Sequence, residues 1–455
     1  MLRSPDDLPD YRSRVRGCLL GGALGDALGA PVEFESIGRI RGKYGSAGLT
    51  GLVADWRGEV GLITDDTQMT LFTVEGLIRA GADPSGRPSP GGGATGAAHV
   101  ETAAPADATR AEAAARADAT RAEAAARADA TRAEAAARAA KTAVVRRAYL
   151  RWLDTQQHPS PPPAASSDSS VNGTVRTGRL REQEWLYSQR APGNACLSGL
   201  RHPREAAPAA PGLPGPVNPG SKGCGTVMRS APFGLRARSA RDAFDLAVEC
   251  AQITHGHPTG YLAAGAFAAI VHFLMEDEPM EDGARPGDAA RREDEAGSPG
   301  EVRSAGEPLA RAVRKTMDLL ATYPSHEETT RALHAAVSLA AMGDPSPKRV
   351  ESLGGAWVAE EALAIAVYCA LVHPEPDDFR RAVLLAVNHS GDSDSTGAVC
   401  GNLLGAVHGE TALPAEWLVH LEGREAIVEL ADDFAAQSAE GHEVTDAWLA
   451  KYPGD

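Results

Sequence analysis

The sequence is short of the residues that usually fill a large core. Phe, Tyr and Trp together make up only 5% of its 455 residues, so Ala, Leu and Val must do most of the packing. Small side chains suit helices that lie close together. Cysteine is also scarce: Cys18, Cys196, Cys224, Cys250, Cys369 and Cys400 are scattered, which fits neither a zinc pattern nor a secreted disulfide framework. Positive charge is outnumbered, 45 Lys and Arg against 61 Asp and Glu, for a formal charge of −16. A duplex binder needs a basic face, so nucleic acid is not expected as a constant partner. No run approaches the roughly 18 uninterrupted apolar residues of a membrane span. The start, Met1-Leu2-Arg3-Ser4-Pro5, lacks the apolar stretch of a secretory signal. The expectation from these absences is a soluble, reduced, cytoplasmic protein with no membrane partner, and a monomer is expected as its oligomeric state.

What is present is mostly helical in pattern. At this length the chain holds either two or three average domains or one large domain with inserts. Residues 11–80 read as ordered, ending in a helix whose apolar side carries Met69, Leu71, Phe72, Leu77 and Ile78, with Gly81 as its stop. Further apolar-periodic pieces fall at 239–253, 260–275, 309–322, 327–341, 358–372, 379–387 and 396–408. No convincing period-two strand exceeds a few residues. Between the ordered pieces the composition changes character. Residues 83–96 are rich in Pro, Gly and Ser and read as a linker. Residues 159–170 form a Pro/Ser loop, 203–220 another loop, and 276–306 an acidic insert of disordered composition.

Residues 106–138 are three perfect copies of Ala-Asp-Ala-Thr-Arg-Ala-Glu-Ala-Ala-Ala-Arg. Ala, Glu and Arg favour helix, and each copy sets Glu four residues before Arg, as in Glu112–Arg116. The run has no Leu, Ile, Val or aromatic side chain to bury, so an exposed helix is expected, continuous with an apolar face at Val144, Val145, Tyr149, Leu150, Trp152 and Leu153. A surface duplication is the simpler reading and a partner-docking arm the rival one. The sequence-level fold is one all-α domain over residues 11–455, interrupted by 83–138 and the three other inserts, because its chemically suggestive pieces lie near both ends.

Two acidic knots carry the chemistry. Thr64-Asp65-Asp66-Thr67 stands where a helix begins, and taken alone it reads as capping with acids in the first turn. Asn388-His-Ser-Gly-Asp392-Ser-Asp394-Ser395-Thr396-Gly397 likewise precedes a Gly-rich helix, and alone is a solvated turn or a cap. Two Asp flanked by hydroxyls, twice, supply hard oxygen ligands suited to Mg2+ or Mn2+. Two metals about 3.5–4 Å apart need several carboxylates, which these knots together provide.

The paired knots resemble the ADP-ribosylglycohydrolase family. Gly17-Cys-Leu-Leu-Gly-Gly-Ala-Leu-Gly-Asp-Ala-Leu-Gly-Ala-Pro-Val-Glu-Phe34 is similar to its N-terminal motif, and Gly223-Cys-Gly-Thr-Val-Met-Arg229-Ser-Ala-Pro232 to its central one. Thr254-His-Gly-His-Pro-Thr-Gly-Tyr261 and Gly355-Ala-Trp-Val-Ala-Glu-Glu361 are similar to later segments of arginine-directed members. The resemblance implies a compact, all-α, metal-dependent hydrolase. It makes Thr64, Asp65, Asp66, Asp392, Asp394 and Ser395 ligands of two divalent cations, Mg2+ or Mn2+, with Asp65, Asp66 and Asp392 also counted as catalytic. Glu33 matches a glutamate near the scissile bond. Ser221, Gly223, Cys224, Gly225, Met228, His257 and Trp357 fall on substrate-contacting positions. Ser221 and Cys224 depart from the Asp and Asn of nitrogenase-related members, which weakens any acid–base role for the central loop. Cys224 as a nucleophile lacks a legible His partner. The bland alternatives are a Gly turn for Gly223 and Gly225, loop histidines for His255 and His257, and core packing for Trp357.

The expected activity is hydrolysis of ADP-ribose from a modified arginine on a protein or small molecule. The alternatives are an O-linked ADP-ribose hydrolase, acting on serine or a small molecule, and an inactive ADP-ribose-binding relative.

Overall fold

In a computed structural model the described residues are 4, 6–55, 57–82, 105–162, 177–202, 206–276 and 306–453. Most of the linker and insert positions named above, 83–104, 163–176, 203–205 and 277–305, lie outside them. Nine helices form the first part of the described chain: α1 (Leu8–Gly29), α2 (Ile37–Tyr44), α3 (Asp65–Ala82), α4 (Pro105–Gln157), α5 (Asn194–Leu200), α6 (Ala231–Arg236), α7 (Ala240–Ala251), α8 (Pro258–Glu276) and α9 (Gly306–Leu320). Eight more follow: α10 (Glu327–Ala341), α11 (Pro347–Glu351), α12 (Ala359–Val372), α13 (Phe379–Val387), α14 (Ser393–His408), α15 (Ala415–Leu418), α16 (Arg424–Ala436) and α17 (Asp446–Lys451). Among the described residues β pairing is limited to isolated bridges, Ala54 with Val60 and Gly223 with Val358. The all-α expectation holds, and the helices enclose one continuous apolar core.

The centre of that core is an antiparallel pair, α1 and α14, joined through glycine. Gly17, Gly21 and Gly25 on α1 face Gly405, Gly401 and Gly397 on α14. A Cβ on Gly25 would lie 1.9 Å from the Gly397 carbonyl oxygen, and one on Gly401 2.0 Å from that of Gly21. Both rows step by four residues, one helical turn plus a small drift, so they stay on facing sides. The two backbones therefore meet with no side chain between them. This contact sets the C-terminal end of α1 against the N-terminal end of α14: a Cβ on Gly29 would fall 2.3 Å from the Ser393 carbonyl oxygen.

α8 qualifies the expectation that the chain has no stretch of membrane length. It is 19 residues long and, by length and composition, apolar enough to cross a membrane, but 89% of its apolar window is buried within the protein. Its Ala- and Gly-rich surface packs as a core helix on every side, which explains the continuous hydrophobicity.

α4 runs 53 residues, about 80 Å at 1.5 Å per residue. Residues 145–156 are almost wholly buried against α3, whereas the repeat residues 120–137 are exposed throughout, and only Arg138 at the end of the repeat is half-buried. The repeat is not wholly detached from the body: Arg138, its last residue, pairs with Glu249 of α7 at 3.0 Å.

Candidate metal centre

The site gathers where three helix ends converge. α3 begins at Asp65, yet neither Asp65 nor Asp66 caps it. That work falls to Asp26, projecting from α1. Its carboxylate accepts from the Thr64 amide at 3.0 Å, the Thr67 amide at 3.1 Å and the Thr67 hydroxyl at 2.5 Å. Thr64 adds a weaker cap, its hydroxyl accepting from the Asp66 amide at 3.3 Å. With the orphan amides of the first turn satisfied elsewhere, Asp65 and Asp66 are free to turn their carboxylates inward. Asp65 accepts one bond from the Gly193 amide at 3.1 Å, and Asp66 accepts from the Ser395 hydroxyl at 2.8 Å.

α14 supplies the opposing wall. Asp392 is its N-cap, accepting from the Ser395 amide at 3.4 Å, while Asp394 accepts from the same amide at 2.9 Å. The capping reading of the second knot is thus correct for Asp392 and incomplete, because Asp392 also faces the site. The loop ahead of it is clamped: the Asp392 amide donates to the Gly355 carbonyl at 3.0 Å. A Cβ on Gly391, at φ +141°, would fall 2.2 Å from that same oxygen. Glu33 follows a short 3-10 turn after α1. One carboxylate oxygen each of Glu33, Asp392 and Asp394 can lie within 4.8 Å of the others, a spacing that could hold a metal ion.

Six carboxylates, of Asp26, Glu33, Asp65, Asp66, Asp392 and Asp394, are therefore buried together. Among the described residues none of them forms an ion pair with Lys or Arg. Burial, then Asp394 and Asp392, pushes Glu33 up to about 10. Burial, then Asp394, pushes Asp26 up to about 7. Burial raises Asp65, Asp66 and Asp392 as well, with Asp394 adding to the effect in each case. Like charges crowded in a dry site cannot all ionise without compensation. The donor set is oxygen throughout, with hydroxyls of Thr64 and Ser395 on its edge, and that chemistry fits a hard divalent cation.

The central loop closes one side. The Cys224 amide donates to the Trp357 carbonyl at 3.2 Å, and the Cys224 thiol hydrogen-bonds with Asp392 and Ser395. Burial and the Asp392 and Asp66 charges hold that thiol well above its ordinary range, so it is not poised as a thiolate. Gly223 and Gly225 are explained by close approach: a Cβ on Gly225 would meet Cys196 Sγ at 2.8 Å and His255 Cε1 at 3.1 Å.

His255 is the buried histidine beneath this loop. Thr254 Oγ1 lies 2.8 Å from its Nδ1 and accepts from Arg229 at 2.6 Å. Burial, then Arg229, pushes His255 down to about 3, so it is neutral. His257 stands apart, its Nδ1 accepting from the Thr259 amide at 3.2 Å.

Of the other candidates, Met228 is buried in the core. Ser221 is half-buried; its carbonyl accepts from the His257 amide at 3.1 Å, and it lines a shallow depression with Asn194 and Arg201. Trp357 is not a core residue. It is 45% exposed and stacks on Phe34, itself 68% exposed, at 5.5 Å and 20°. Phe34 directly follows the buried Glu33 in the chain, so the exposed pair begins one residue from that carboxylate. The loop presenting Trp357 is held by Glu361, which accepts from the Gly355 and Ala356 amides at 2.9 and 3.1 Å, with Ala356 at φ +63°.

Comparison with known proteins gives this arrangement a family. The model for ADP-ribosylglycohydrolase matches residues 7–143 and 122–443. The chain is 27% identical over 220 residues to ADP-ribosylhydrolase ARH3 of Homo sapiens, covering 45% of this chain and 55% of that protein. It thus spans about half the length of that relative. It is 24% identical over 421 residues to ADP-ribosyl-(dinitrogen reductase) glycohydrolase of Rhodospirillum rubrum, covering 91% of this chain and 92% of that protein. A 56-residue stretch is 41% identical to ADP-ribosylarginine hydrolase Tri1 of Serratia proteamaculans, covering 12% of this chain and 15% of that protein. A solved ADP-ribosylglycohydrolase-related protein complex shares the fold, with a TM-score of 0.52, 20% identity, and coverage of 94% of this chain and 99% of that one. With a family model matching from the first helix to beyond α16, and both acidic knots inside the match, the chain belongs to the ADP-ribosylglycohydrolase family.

Proposed function

We propose that the protein hydrolyses the N-glycosidic bond between ADP-ribose and a modified arginine side chain, on a protein or small-molecule substrate, using two divalent cations, Mg2+ or Mn2+. The observation that carries this reading is the buried set of six carboxylates with no cationic side chain paired to it among the described residues. Asp65, Asp66, Asp392 and Asp394, with the hydroxyls of Thr64 and Ser395, would hold the cations. A bound pair of such cations supplies Lewis-acid polarisation and a water of lowered pKa. The chain's own residues do the rest. The carboxylates stabilise the positive charge that develops on the ribose as the glycosidic bond breaks. Glu33, one residue before the exposed Phe34, handles the proton at the leaving nitrogen. The clamped loops at Gly193 and Gly355 keep the ligands in place before substrate arrives.

The arginine linkage has two supports: the stretch similar to Tri1, and the stacked rings of Phe34 and Trp357 beside Glu33, whose faces suit a planar cation. The test is release of ADP-ribose from arginine-linked and serine-linked substrates, side by side at saturating metal. The arginine substrate is expected to turn over faster. Faster cleavage of the serine-linked one replaces the linkage assignment with the O-linked alternative, and turnover of neither makes the protein a binder.

A further inference from the structure

At the far end of α3 a second cavity, of ≈ 420 Å³, opens where α3 and α6 meet the inner end of the α4 arm. Gly81 on its rim lies 16 residues along α3 from Asp65, roughly 24 Å away at 1.5 Å per residue. The cavity is therefore separate from the carboxylates. Its floor is apolar, with Leu77, Phe233 and Leu246. Its walls carry Arg138, Lys141, Arg236 and Arg238 against the acids Glu134 and Asp242.

Two of the four cations are matched by the fold. Arg138 pairs with Glu249 at 3.0 Å and reaches Asp245 at 3.8 Å, and Arg238 pairs with Asp242 at 3.2 Å. The other two have no carboxylate partner among the described residues. Arg236 donates to the neutral side-chain oxygen of Gln437 and lies over the Phe434 ring at 5.7 Å. Lys141 makes no ion pair among the described residues. Burial lowers the pKa of Arg236, and the neighbouring Arg238, Arg236 and Arg138 lower that of Lys141 against the opposing pull of Asp242. Arg236 is half-buried, and a cation drawn partly into protein without a counter-charge is costly until an anion meets it; Lys141 stands exposed at the rim. The cavity thus pairs an apolar floor with two cationic side chains, of Lys141 and Arg236, that no carboxylate among the described residues pairs.

We propose that this cavity binds a small anionic amphiphile. Its single phosphate or carboxylate head meets Lys141 and Arg236, and its apolar body lies over Leu77, Phe233 and Leu246. The volume falls within the range of about 300–1,000 Å³ usual for small-ligand sites. Charge-assisted hydrogen bonds from ammonium and guanidinium groups are the strong contacts that fix such a head. The ligand bridges α4 to α3 and α6, and so stiffens the root of the arm. The proposal is independent of the hydrolase reading.

Calorimetric titration of the full chain tests it, with octyl phosphate and octanoate as probes, below their micellar range, and octanol and inorganic phosphate as controls. An octyl anion is expected to bind at least tenfold more tightly than either control, because each control carries half of the recognised chemistry. The order of octyl phosphate and octanoate identifies the preferred head. Lys141→Glu, at an exposed position that folding tolerates, is expected to weaken the octyl anion at least tenfold. Leu246→Trp, which fills the floor, should remove it, with ADP-ribose release unchanged in both variants. Octanol binding as tightly as the anions, binding of neither anion, or an unchanged affinity in Lys141→Glu overturns the proposal.

Discussion

The α1/α14 pair and the outer length of α4 are both helices rich in small residues, and they use them in opposite ways. On α1 and α14 every fourth residue is glycine, and the absent side chains let two backbones touch and bring Asp26 and Glu33 to Asp392 and Asp394. Along α4 the small residue is alanine, the described repeat positions face water, and the charges pair within the helix, as Glu123 does with Arg127. Helix propensity alone sustains the second region, whereas close packing makes the first. A small residue is therefore informative only together with what faces it.

The widest gap between the two should open on adding a side chain. Gly25→Val forces a branched Cβ into the 1.9 Å gap to Gly397. Overpacking ordinarily costs about 1–3 kcal/mol, and here the obstacle is backbone on both sides, so loss of soluble folded protein is expected. Ala125→Val in the exposed repeat should cost well under about 1 kcal/mol, the scale of helix propensity. Comparable melting temperatures for the two variants would break the comparison.

Next in size are the ligands themselves. Asp66→Asn and Asp392→Asn should each abolish turnover and remove the rise in melting temperature given by Mn2+, while far-ultraviolet circular dichroism stays helical. An amide keeps an oxygen but not the anion that a divalent pair requires. Full activity in both variants would remove these residues from the site.

A smaller effect concerns pH. Asp26 and Glu33 have folded-state values raised to about 7 and about 10, so between pH 4 and 7 the folded state binds more protons than the unfolded state. Stability without metal therefore falls as pH rises through this window. Thermal melts in chelator should show a higher midpoint at pH 5.5 than at pH 7.5, and added Mn2+ should restore the loss at pH 7.5. An opposite trend would mean that the carboxylates do not repel one another as the geometry requires.

The smallest effect should come from shortening the arm. An eleven-residue unit is close to three full turns, so deleting two whole units, residues 106–127, preserves the phase between the third unit and α7. Activity within a few fold and an unchanged melting temperature are expected, since long insertions contribute little to loop entropy. Loss of folding would show that the outer arm carries contacts beyond those of Arg138.

Much of this was legible before the fold was known. The helices at 327–341 and 379–387 were bounded by their apolar period, and α14 begins three residues earlier than its period suggested because Asp392 caps it. Both acidic knots stood out because local sequence pairs acids with hydroxyls. Asp26 was missed as a site residue, though it is the one charged residue between Arg16 and Glu33, a signal that an acid on an otherwise apolar helix has a buried task. His255 was passed over for His257, because which of two histidines lies beneath the Gly223–Gly225 loop depends on long-range packing. The exposure of Trp357 was equally hidden, since it rests on the turn held by Glu361 and on Phe34, more than 300 residues away in sequence.

The most direct test of the central claim is anomalous diffraction from crystals of the protein soaked in Mn2+. Two peaks are predicted among Asp65, Asp66, Asp392 and Asp394, about 3.5–4 Å apart as in other paired-metal sites. Saturating Mn2+ with no peak among these carboxylates, or with peaks only elsewhere on the protein, would contradict it.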